Sequence, residues 1–148
     1  FNDDAFWDGS DPGFKHIMDL CDLIINGKNK GRIKQDVIFN CQAKVGDFVI
    51  KKPTRRLHDE LILKLKKAGF YHWGLGVESG SNKTLESIQK QITEDQIYQV
   101  VDALTKHKFE ATYNFIGGFP YETVDEYKKT LRVIHYIFEK CTFMYEIP

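Results

Sequence analysis

The sequence predicts an α/β fold: a partial parallel (β/α) barrel of about four to five strands with helices on its outer face. Apolar runs that resemble strands alternate with amphipathic runs that resemble helices, and each strand-plus-helix unit takes roughly 30 to 40 residues, the length of a βαβ step. The predicted strands end in polar residues or glycines, which would share one edge of a parallel sheet. A closed eight-unit barrel takes about 250 residues, so a chain of 148 residues holds only part of one, or most of a smaller open barrel.

The composition indicates one folded domain, or part of one. The chain is 42% hydrophobic and 14% aromatic, which is enough for one core. Basic and acidic residues number 21 each, without a long basic run, so charge indicates neither a nucleic acid nor an anionic membrane as partner. Cys21, Cys41 and Cys141 are too far apart for a disulfide framework or a metal-ligand spacing. We therefore expect a reducing, cytoplasmic location.

The first half of the chain predicts a helix, a strand and a second helix. Apolar residues recur at helical spacing from Phe14 to Ile25, and Asn26 and Gly27 give a stop signal. Residues 37–41 form a β-branched and aromatic run that predicts a strand with a polar end. The second helix is expected to begin at residues 53–54 and to close at Gly69. Its inward residues are predicted to be Leu57, Leu61, Leu65 and Ala68.

Residues 73–81 organise the middle of the chain, because a buried strand there runs into a polar tip. Gly74 and Gly76 remove side chains where another group must come close. Glu78 at the strand's end can accept hydrogen bonds from a ligand's hydroxyls. Helical signals follow from Asn82, so the tip lies in a strand-to-helix loop, where parallel α/β folds keep their ligand sites. A tight turn in which the glycines serve packing and Glu78 caps the next helix explains the same residues.

Two capping boxes mark the helices of the second half. Thr93 with Gln96 predicts a helix start, and the inner face that follows is Ile97, Val100, Val101 and Leu104. Residues 109–116 predict a strand that enters a Gly-Gly-Phe-Pro loop. Thr123 with Glu126 predicts the last helix, and residues 141–147 a final strand. The buried stripe of the last helix is predicted to be Tyr127, Leu131, Ile134 and Phe138.

Four short motifs, in this order and spacing, resemble the radical S-adenosylmethionine (SAM) enzymes. The resemblance is to the cobalamin-associated branch, which includes Mg-protoporphyrin monomethyl ester cyclase-like and methyltransferase-like proteins. It covers nearly the whole chain and implies that the partial barrel is of the radical SAM type. The motifs are residues 1–6 (FNDDAF), residues 67–69 (KAG) leading into 76–81 (GVESGS), Lys90 with residues 92–93, and residues 118–123 (GFPYET).

The resemblance implies that residues near two strand tips hold the methionyl and ribose groups of SAM. Asp3 and Asp4 would contact the methionyl amino group, since carboxylates suit an ammonium; a turn acid pair is the alternative. Glu78, with Ser79 nearby, would bind the ribose hydroxyls. Lys44 is either a cation for the methionyl carboxylate or a solvated loop lysine.

The resemblance also implies an adenine-binding segment. Ile116, Gly117 and Gly118 would approach adenine, and Glu122 would brace that loop. A helix-capping role for Glu122 is the competing interpretation. Tyr145 either stacks on adenine or belongs to the core. Tyr121 stands where the family commonly has glycine, which is expected to narrow the loop near adenine.

The 4Fe-4S cluster that the resemblance implies has no binding loop here. The family holds it on a CxxxCxxC loop upstream of the Asp-Asp strand, and any cobalamin domain also lies upstream. Residues 1–148 are therefore expected to be the C-terminal part of a radical SAM core domain, cut from a larger protein. The parent is expected to cleave SAM reductively to a deoxyadenosyl radical, with flavodoxin or ferredoxin as electron donor and an unknown small-molecule substrate. The fragment alone is expected to be silent and to self-associate through an open sheet edge.

Two other classes of protein fit parts of the sequence. One is a stand-alone small-molecule or phosphate-binding α/β module without redox chemistry, with Gly117 and Gly118 cradling an anion at the helix that begins near Thr123. Pro120 and Glu122 count against it, because a carboxylate at the mouth repels phosphate. The other is a structural or partner-binding piece, which predicts an exposed apolar stripe that the one-face helices are not expected to show.

Overall fold

The computed structural model describes residues 6–7, 10–50 and 56–142. Five helices and five strands follow one another in this part of the chain, with one short 3-10 helix at Val45–Phe48. The helices are α1 (Asp11–Asn29), α2 (Asp59–Ala68), α3 (Asn82–Ser87), α4 (Glu94–Lys106) and α5 (Val124–Thr142). The strands are β1 (Phe39–Lys44), β2 (Val49–Ile50), β3 (Arg56–Leu57), β4 (Phe70–Glu78) and β5 (Glu110–Phe115).

A parallel sheet with the strand order β1-β4-β5 forms the centre of the fold, and β2 and β3 form a separate antiparallel pair. The register joins Cys41 to Trp73 and Trp73 to Ala111. The predicted parallel α/β architecture is confirmed. Three strands of the parallel sheet lie within residues 6–7, 10–50 and 56–142, fewer than the four to five predicted for the whole chain. Phe6 contacts β1, because its N–H donates to the carbonyl of Gln42 at 2.9 Å.

The core is built around the central strand. Trp73, Leu75 and Val77 alternate along β4 and are completely buried on one face of the sheet. The ring of Trp73 packs edge-on against Trp7 at 5.4 Å and against Phe48 at 5.5 Å. All the predicted inner residues of α2 and α4 except Leu57 are buried as well, namely Leu61, Leu65, Ala68, Ile97, Val100, Val101 and Leu104.

Helix α1 is longer at both ends than the sequence predicts. It begins at Asp11, where Ser10 Oγ accepts a hydrogen bond from the N–H of Gly13 at 3.2 Å. It continues past Gly27, the expected stop, to Asn29. A Cβ on Gly27 would lie 2.7 Å from Ile33 Cδ1, so this glycine serves the close approach of the following chain. The reversal falls instead at Gly31, whose φ is +68°.

Strand β1 starts later than predicted because a buried lysine occupies the carbonyls before it. Lys28 Nζ donates to the carbonyl of Val37 at 2.8 Å and to that of Gln35 at 3.2 Å. The predicted strand over residues 37–41 therefore becomes β1 at Phe39–Lys44. Helix α2 likewise starts at Asp59, because Leu57 belongs to β3 and pairs with Val49. Residues 51–55, where the helix was expected to begin, lie outside the described residues.

Helix α5 presents a different face to the core from the one predicted. Thr130, Val133 and Ile137 are buried, whereas the predicted stripe is partly exposed: Tyr127 (43%), Leu131 (46%), Ile134 (38%) and Phe138 (68%). The cause is polar contact with the loop after β4. A Cβ on Gly80 would lie 2.7 Å from the carbonyl of Lys129, so the helix backbone rests on this glycine and turns Thr130 inward.

The prediction of a final strand over residues 141–147 is wrong at its start, because Cys141 and Thr142 belong to α5. The helical pattern of α5 runs on to these residues. Residues 143–147 lie outside the described part. Of the helices in that part, none is long and apolar enough to cross a membrane.

Candidate functional site

The carboxyl ends of the three parallel strands meet at one edge of the sheet, as the sequence predicts. This rim consists of Lys44 and Glu78, the last residues of β1 and β4, and of residues 116–118, which follow β5. The N–H of Ile116 donates to the carbonyl of Glu78 at 2.9 Å, so the loop after β5 runs beside the end of β4. The structure thus brings Glu78 together with the predicted adenine segment.

Glu78 has an unusual backbone conformation and an ion pair. Its φ is +70°, in the left-handed region that residues with a side chain rarely adopt. Its Oε1 accepts a hydrogen bond from Lys90 Nζ at 2.8 Å, and both side chains are about one fifth exposed. Ser81 caps α3 instead, since its Oγ accepts from the N–H of Thr84 at 3.5 Å. Glu78 is therefore not the helix cap that the turn interpretation requires.

Ser79 points away from the rim. Its side chain is completely buried, and its Oγ lies 3.0 Å from Thr130 Oγ1 and accepts a hydrogen bond from the N–H of Ser81 at 3.1 Å. The N–H of Gly80 donates to the same Thr130 hydroxyl at 3.0 Å. Of the predicted ribose pair, Glu78 stands at the rim with its carboxylate paired to Lys90, and the hydroxyl of Ser79 ties the loop to α5.

The loop after β5 is open to solvent and held by a carboxylate. Ile116 is half exposed, and Gly117 and Gly118 are exposed. Gly118 has a φ of +84°, and its N–H donates to Glu122 Oε2 at 2.8 Å. The other oxygen, Glu122 Oε1, is buried and has no hydrogen-bond partner among the described residues.

Thr123 and Glu126, rather than Glu122, cap the N-terminus of α5. The N–H of Thr123 donates to Glu126 Oε2 at 2.8 Å, and the N–H of Glu126 donates back to Thr123 Oγ1 at 3.3 Å. This is the predicted capping box. Glu122 is thus not part of the cap, and its Oε2 holds the N–H of Gly118 in the loop.

Glu126 also holds α3 against α5. Lys83 Nζ lies 2.8 Å from Glu126 Oε1. This ion pair, with the N–H of Thr123, lowers the pKa of Glu126 from its ordinary 4.5 to about 2. Both helices follow rim loops, so the ion pair fixes the elements that carry Glu78 and residues 116–118.

A polar sheet face lies below the rim, on the side of β4 opposite Trp73. Its residues pair across the three strands in two rows, Gln42 with Gly74 and Thr112, and Lys44 with Gly76 and Asn114. Apart from the two glycines these residues are exposed. Buried parallel strands are normally apolar on both faces, so this face suits a hydrogen-bonding ligand or water. The period-two polar residues of β1 and β5 could have revealed it, but sequence reasoning missed it.

The thiols do not fit an iron-sulfur cluster. Cys21 and Cys41 are buried in α1 and β1, and burial raises the pKa of each to about 12. Burial also raises the pKa of Cys141 on α5. Within residues 6–7, 10–50 and 56–142, no three His, Cys, Asp or Glu side chains are placed to hold a metal ion.

The rim does fit parts of SAM. A carboxylate, an exposed apolar side chain at Ile116 and exposed glycine backbone can meet ribose hydroxyls and adenine. Lys44 lies at the same edge. Asp3, Asp4 and Tyr145 lie outside the described residues, so their predicted roles stay predictions.

The sequence model of the Radical SAM superfamily matches residues 12–134. The chain therefore belongs to the radical SAM superfamily, which confirms the resemblance drawn from its motifs.

Relatives and solved structures agree with this assignment. The tRNA-2-methylthio-N(6)-dimethylallyladenosine synthase of Rickettsia bellii (strain OSU 85-389) is 34% identical over an alignment of 138 positions that covers 82% of this chain and 30% of that protein. The "Uncharacterized methyltransferase PH0819" of Pyrococcus horikoshii is 30% identical over 128 residues, 81% of this chain and 26% of that protein. The cobalamin-dependent SAM radical enzyme OxsB with aqua-cobalamin bound shares the fold, with a TM-score of 0.72 at 22% identity, over 89% of this chain and 18% of that chain. The chain spans less than a third of each of these proteins.

Proposed function

We propose that this chain supplies the SAM-binding rim of a radical SAM Fe-S oxidoreductase that cleaves SAM reductively and starts radical chemistry on a small-molecule substrate. The observation that carries the proposal is the meeting of Glu78 with residues 116–118, joined by the 2.9 Å hydrogen bond from Ile116 to the carbonyl of Glu78. Membership in the radical SAM superfamily supports the choice of cofactor.

Each part of the rim has a role in this proposal. Oε1 of Glu78 is engaged by Lys90, so Oε2 accepts hydrogen bonds from the ribose hydroxyls. Ile116 packs on adenine, while Gly117 and Gly118 let the backbone come close to the ring edge. Glu122 keeps that backbone in place through the N–H of Gly118. Asp3 and Asp4 bind the methionyl ammonium.

The remaining cofactors belong to the parent protein. A 4Fe-4S cluster, when bound by ligands outside the described residues, supplies the electron for SAM cleavage, and flavodoxin or ferredoxin delivers that electron. A cobalamin domain is part of the proposal because the fold is that of a cobalamin-dependent enzyme and one relative is named a methyltransferase. The polar sheet face and the balanced charge of the chain support a hydrogen-bonding small molecule as substrate.

The stand-alone phosphate-binding module has less support. A phosphate at the start of α5 needs free N–H groups. The N–H groups of Gly118 and Thr123 already donate to Glu122 and Glu126, each at 2.8 Å. Two carboxylates therefore occupy the donors that the anion would use.

The proposal is tested by SAM affinity in the full-length protein. Glu78→Ala should weaken SAM binding by about 1–3 kcal/mol, the usual cost of leaving ligand hydroxyls unpaired. Anaerobic titration followed by equilibrium dialysis measures the affinity. Glu86→Ala is the matched control, since Glu86 is exposed on the neighbouring α3 and should leave the affinity unchanged. Equal SAM affinities of wild type and Glu78→Ala would show that Glu78 does not bind the ribose.

A further inference from the structure

We propose that the edge of the sheet opposite the rim binds the phosphodiester backbone of a nucleic acid. The parallel strands begin at this edge, and α1, α2 and α4 end there. The basic edge consists of six exposed cations: Lys30, Arg32, Lys34, Lys67, Lys106 and Lys108. Strand β4 runs for nine residues between the two edges, about 25 Å at the rise of a strand. The inference is therefore independent of the proposed function, because a nucleic acid bound here leaves the rim open.

The fold brings the basic edge together from separate parts of the chain. Three stretches supply its charge: residues 28–34, 66–67 and 106–108. Lys66 Nζ donates to the carbonyl of Lys108 at 2.6 Å, which joins the end of α2 to the end of α4. A Cβ on Gly69 would lie 2.5 Å from Lys28 Nζ, so the end of α1 adjoins the end of α2. Because no stretch is long by itself, the sequence predicts no nucleic-acid partner.

The positive charge at this edge is not balanced by nearby acids. Residues 28–38, 66–69 and 106–110 hold eight lysines and arginines and two acids, Asp36 and Glu110. Glu110 already accepts a hydrogen bond from the hydroxyl of Tyr71 at 2.7 Å. Of the six cations, none forms an ion pair with an acid in the described part of the chain. Burial and the nearby Lys108 also lower the pKa of Lys66. Clustered cations of this kind create a positive potential that attracts anions.

Helix dipoles explain only part of this charge. A cation in the last turn of a helix stabilises the partial negative charge there, and this accounts for Lys67 and Lys106. Three cations follow the end of α1 at Asn29, in the loop before β1: Lys30, Arg32 and Lys34. They lie beyond the last turn, so they need another explanation.

Lys108 occupies a position where glycine would be less strained. The chain reverses after α1 and after α2 at glycines in the left-handed region, Gly31 with a φ of +68° and Gly69 with a φ of +102°. After α4 the left-handed residue is Lys108, with a φ of +54°. This end of the sheet thus carries a cation at a backbone position that disfavours any side chain.

The composition of the basic edge favours a nucleic acid over a protein or a membrane. Protein interfaces are depleted in lysine and enriched in aromatic residues, and residues 28–34, 66–67 and 106–108 include no aromatic residue. Stable membrane anchoring needs an apolar or lipid contribution besides a basic patch. Ile33 packs against Gly27, and the exposed Ile38 offers one side chain, less than an amphipathic face needs. Contacts between lysine and phosphate need neither feature.

The test measures how the full-length protein binds a labelled single-stranded RNA, by fluorescence anisotropy at several salt concentrations. The variant Lys30→Gln/Arg32→Gln/Lys34→Gln should bind roughly tenfold more weakly at low salt. Its plot of log affinity against log salt should be shallower by about two, since each phosphate contact on a single strand contributes about 0.7 to the slope.

The matched control is Lys15→Gln/Lys128→Gln/Arg132→Gln. It removes the same charge from exposed positions nearer the starts of α1 and α5, and it should keep the wild-type slope. Equal losses in both variants would overturn the inference, because net charge rather than the basic edge would then explain binding. A wild-type slope in Lys30→Gln/Arg32→Gln/Lys34→Gln would overturn it as well.

Two further measurements keep the result decisive. If the first variant does not fold, Lys67→Gln/Lys106→Gln/Lys108→Gln takes its place, and wild-type RNA binding by that variant rejects the idea. Vesicles of phosphatidylserine and phosphatidylcholine, and polyglutamate, serve as other anions. If the wild-type protein binds either of these but not the RNA, the partner is of another class and the inference fails. SAM affinity should stay unchanged in every variant, so failure of the proposed function is a separate result.

Discussion

At the scale of single residues, the rim depends on carboxylates whose oxygens have separate tasks. One oxygen of Glu122 accepts a hydrogen bond from the N–H of Gly118, and one oxygen of Glu78 accepts a hydrogen bond from Lys90 Nζ. Glu126 divides its oxygens between the N–H of Thr123 and Lys83. Each carboxylate thus ties a loop to a neighbouring group, and together the three stabilise the rim.

Glu126 should make the protein sensitive to acid. Its folded pKa of about 2 lies below the ordinary 4.5, so its contribution to stability is complete above about pH 4.5 and is lost as the pH falls toward 2. Glu126→Gln should lower the melting temperature at pH 7 and reduce the decline of melting temperature between pH 4.5 and 2. Thermal unfolding at several pH values measures both effects. The exposed Glu139→Gln is the control, and identical pH profiles for wild type and Glu126→Gln would contradict the prediction.

At the scale of elements, α5 is oriented by polar contacts rather than by its largest apolar side chains. Thr130 meets Ser79 and Gly80 through its hydroxyl, and the glycine permits close backbone contact. The opposite side of α5 carries an exposed apolar stripe, which is the feature that a structural or partner-binding piece would show. The stripe consists of Tyr127, Leu131, Ile134 and Phe138.

Two isoleucines on α5 test this orientation. Ile137 is 8% exposed and Ile134 is 38% exposed. Ile137→Ala should lower the free energy of unfolding by about 2–5 kcal/mol, as for buried aliphatic truncations. Ile134→Ala should cost less than half as much, because part of its side chain already contacts water. Denaturant unfolding of both variants gives the comparison. A larger loss of unfolding free energy in Ile134→Ala than in Ile137→Ala would support the buried stripe that the sequence predicts.

At the scale of the whole molecule, the chain carries the proposed SAM-binding rim, and its described residues include no set of cluster ligands. Anaerobic reconstitution of the 148-residue chain with iron and sulfide should give neither stoichiometric 4Fe-4S absorbance nor deoxyadenosine from SAM. The reason is that Cys21 and Cys41 are buried, with a pKa of about 12, and Cys141 lies on another element. The full-length protein under the same conditions should give both signals, and a cluster on the 148-residue chain would refute the prediction.

Local signals in the sequence predicted local structure, and contacts between distant residues decided the rest. The capping boxes at Thr93 and Thr123 and the left-handed cap at Gly69 are confirmed, because each depends on a few adjacent residues. The start of β1 depends on Lys28, nine residues before Val37, and no local pattern reveals that bond.

For the candidate site, the sequence likewise predicted one contact and missed two others. The meeting of Glu78 with residues 116–118 follows from parallel strand order alone, and the sequence predicted it. The pairing of Glu78 with Lys90 spans twelve residues and depends on the loop after α3. The inward turn of Ser79 depends on Thr130, 51 residues away. Neither contact leaves a periodic signal.

The polar sheet face below the rim has a thermodynamic consequence. Exposed amide, hydroxyl and ammonium groups at Gln42, Thr112, Asn114 and Lys44 can form hydrogen bonds with water. A ligand that settles there exchanges those bonds for its own and removes little apolar surface from water. The heat capacity of the protein should therefore change little when such a ligand binds, in contrast to a pocket lined by aliphatic groups. The affinity will depend on how well each displaced water is replaced.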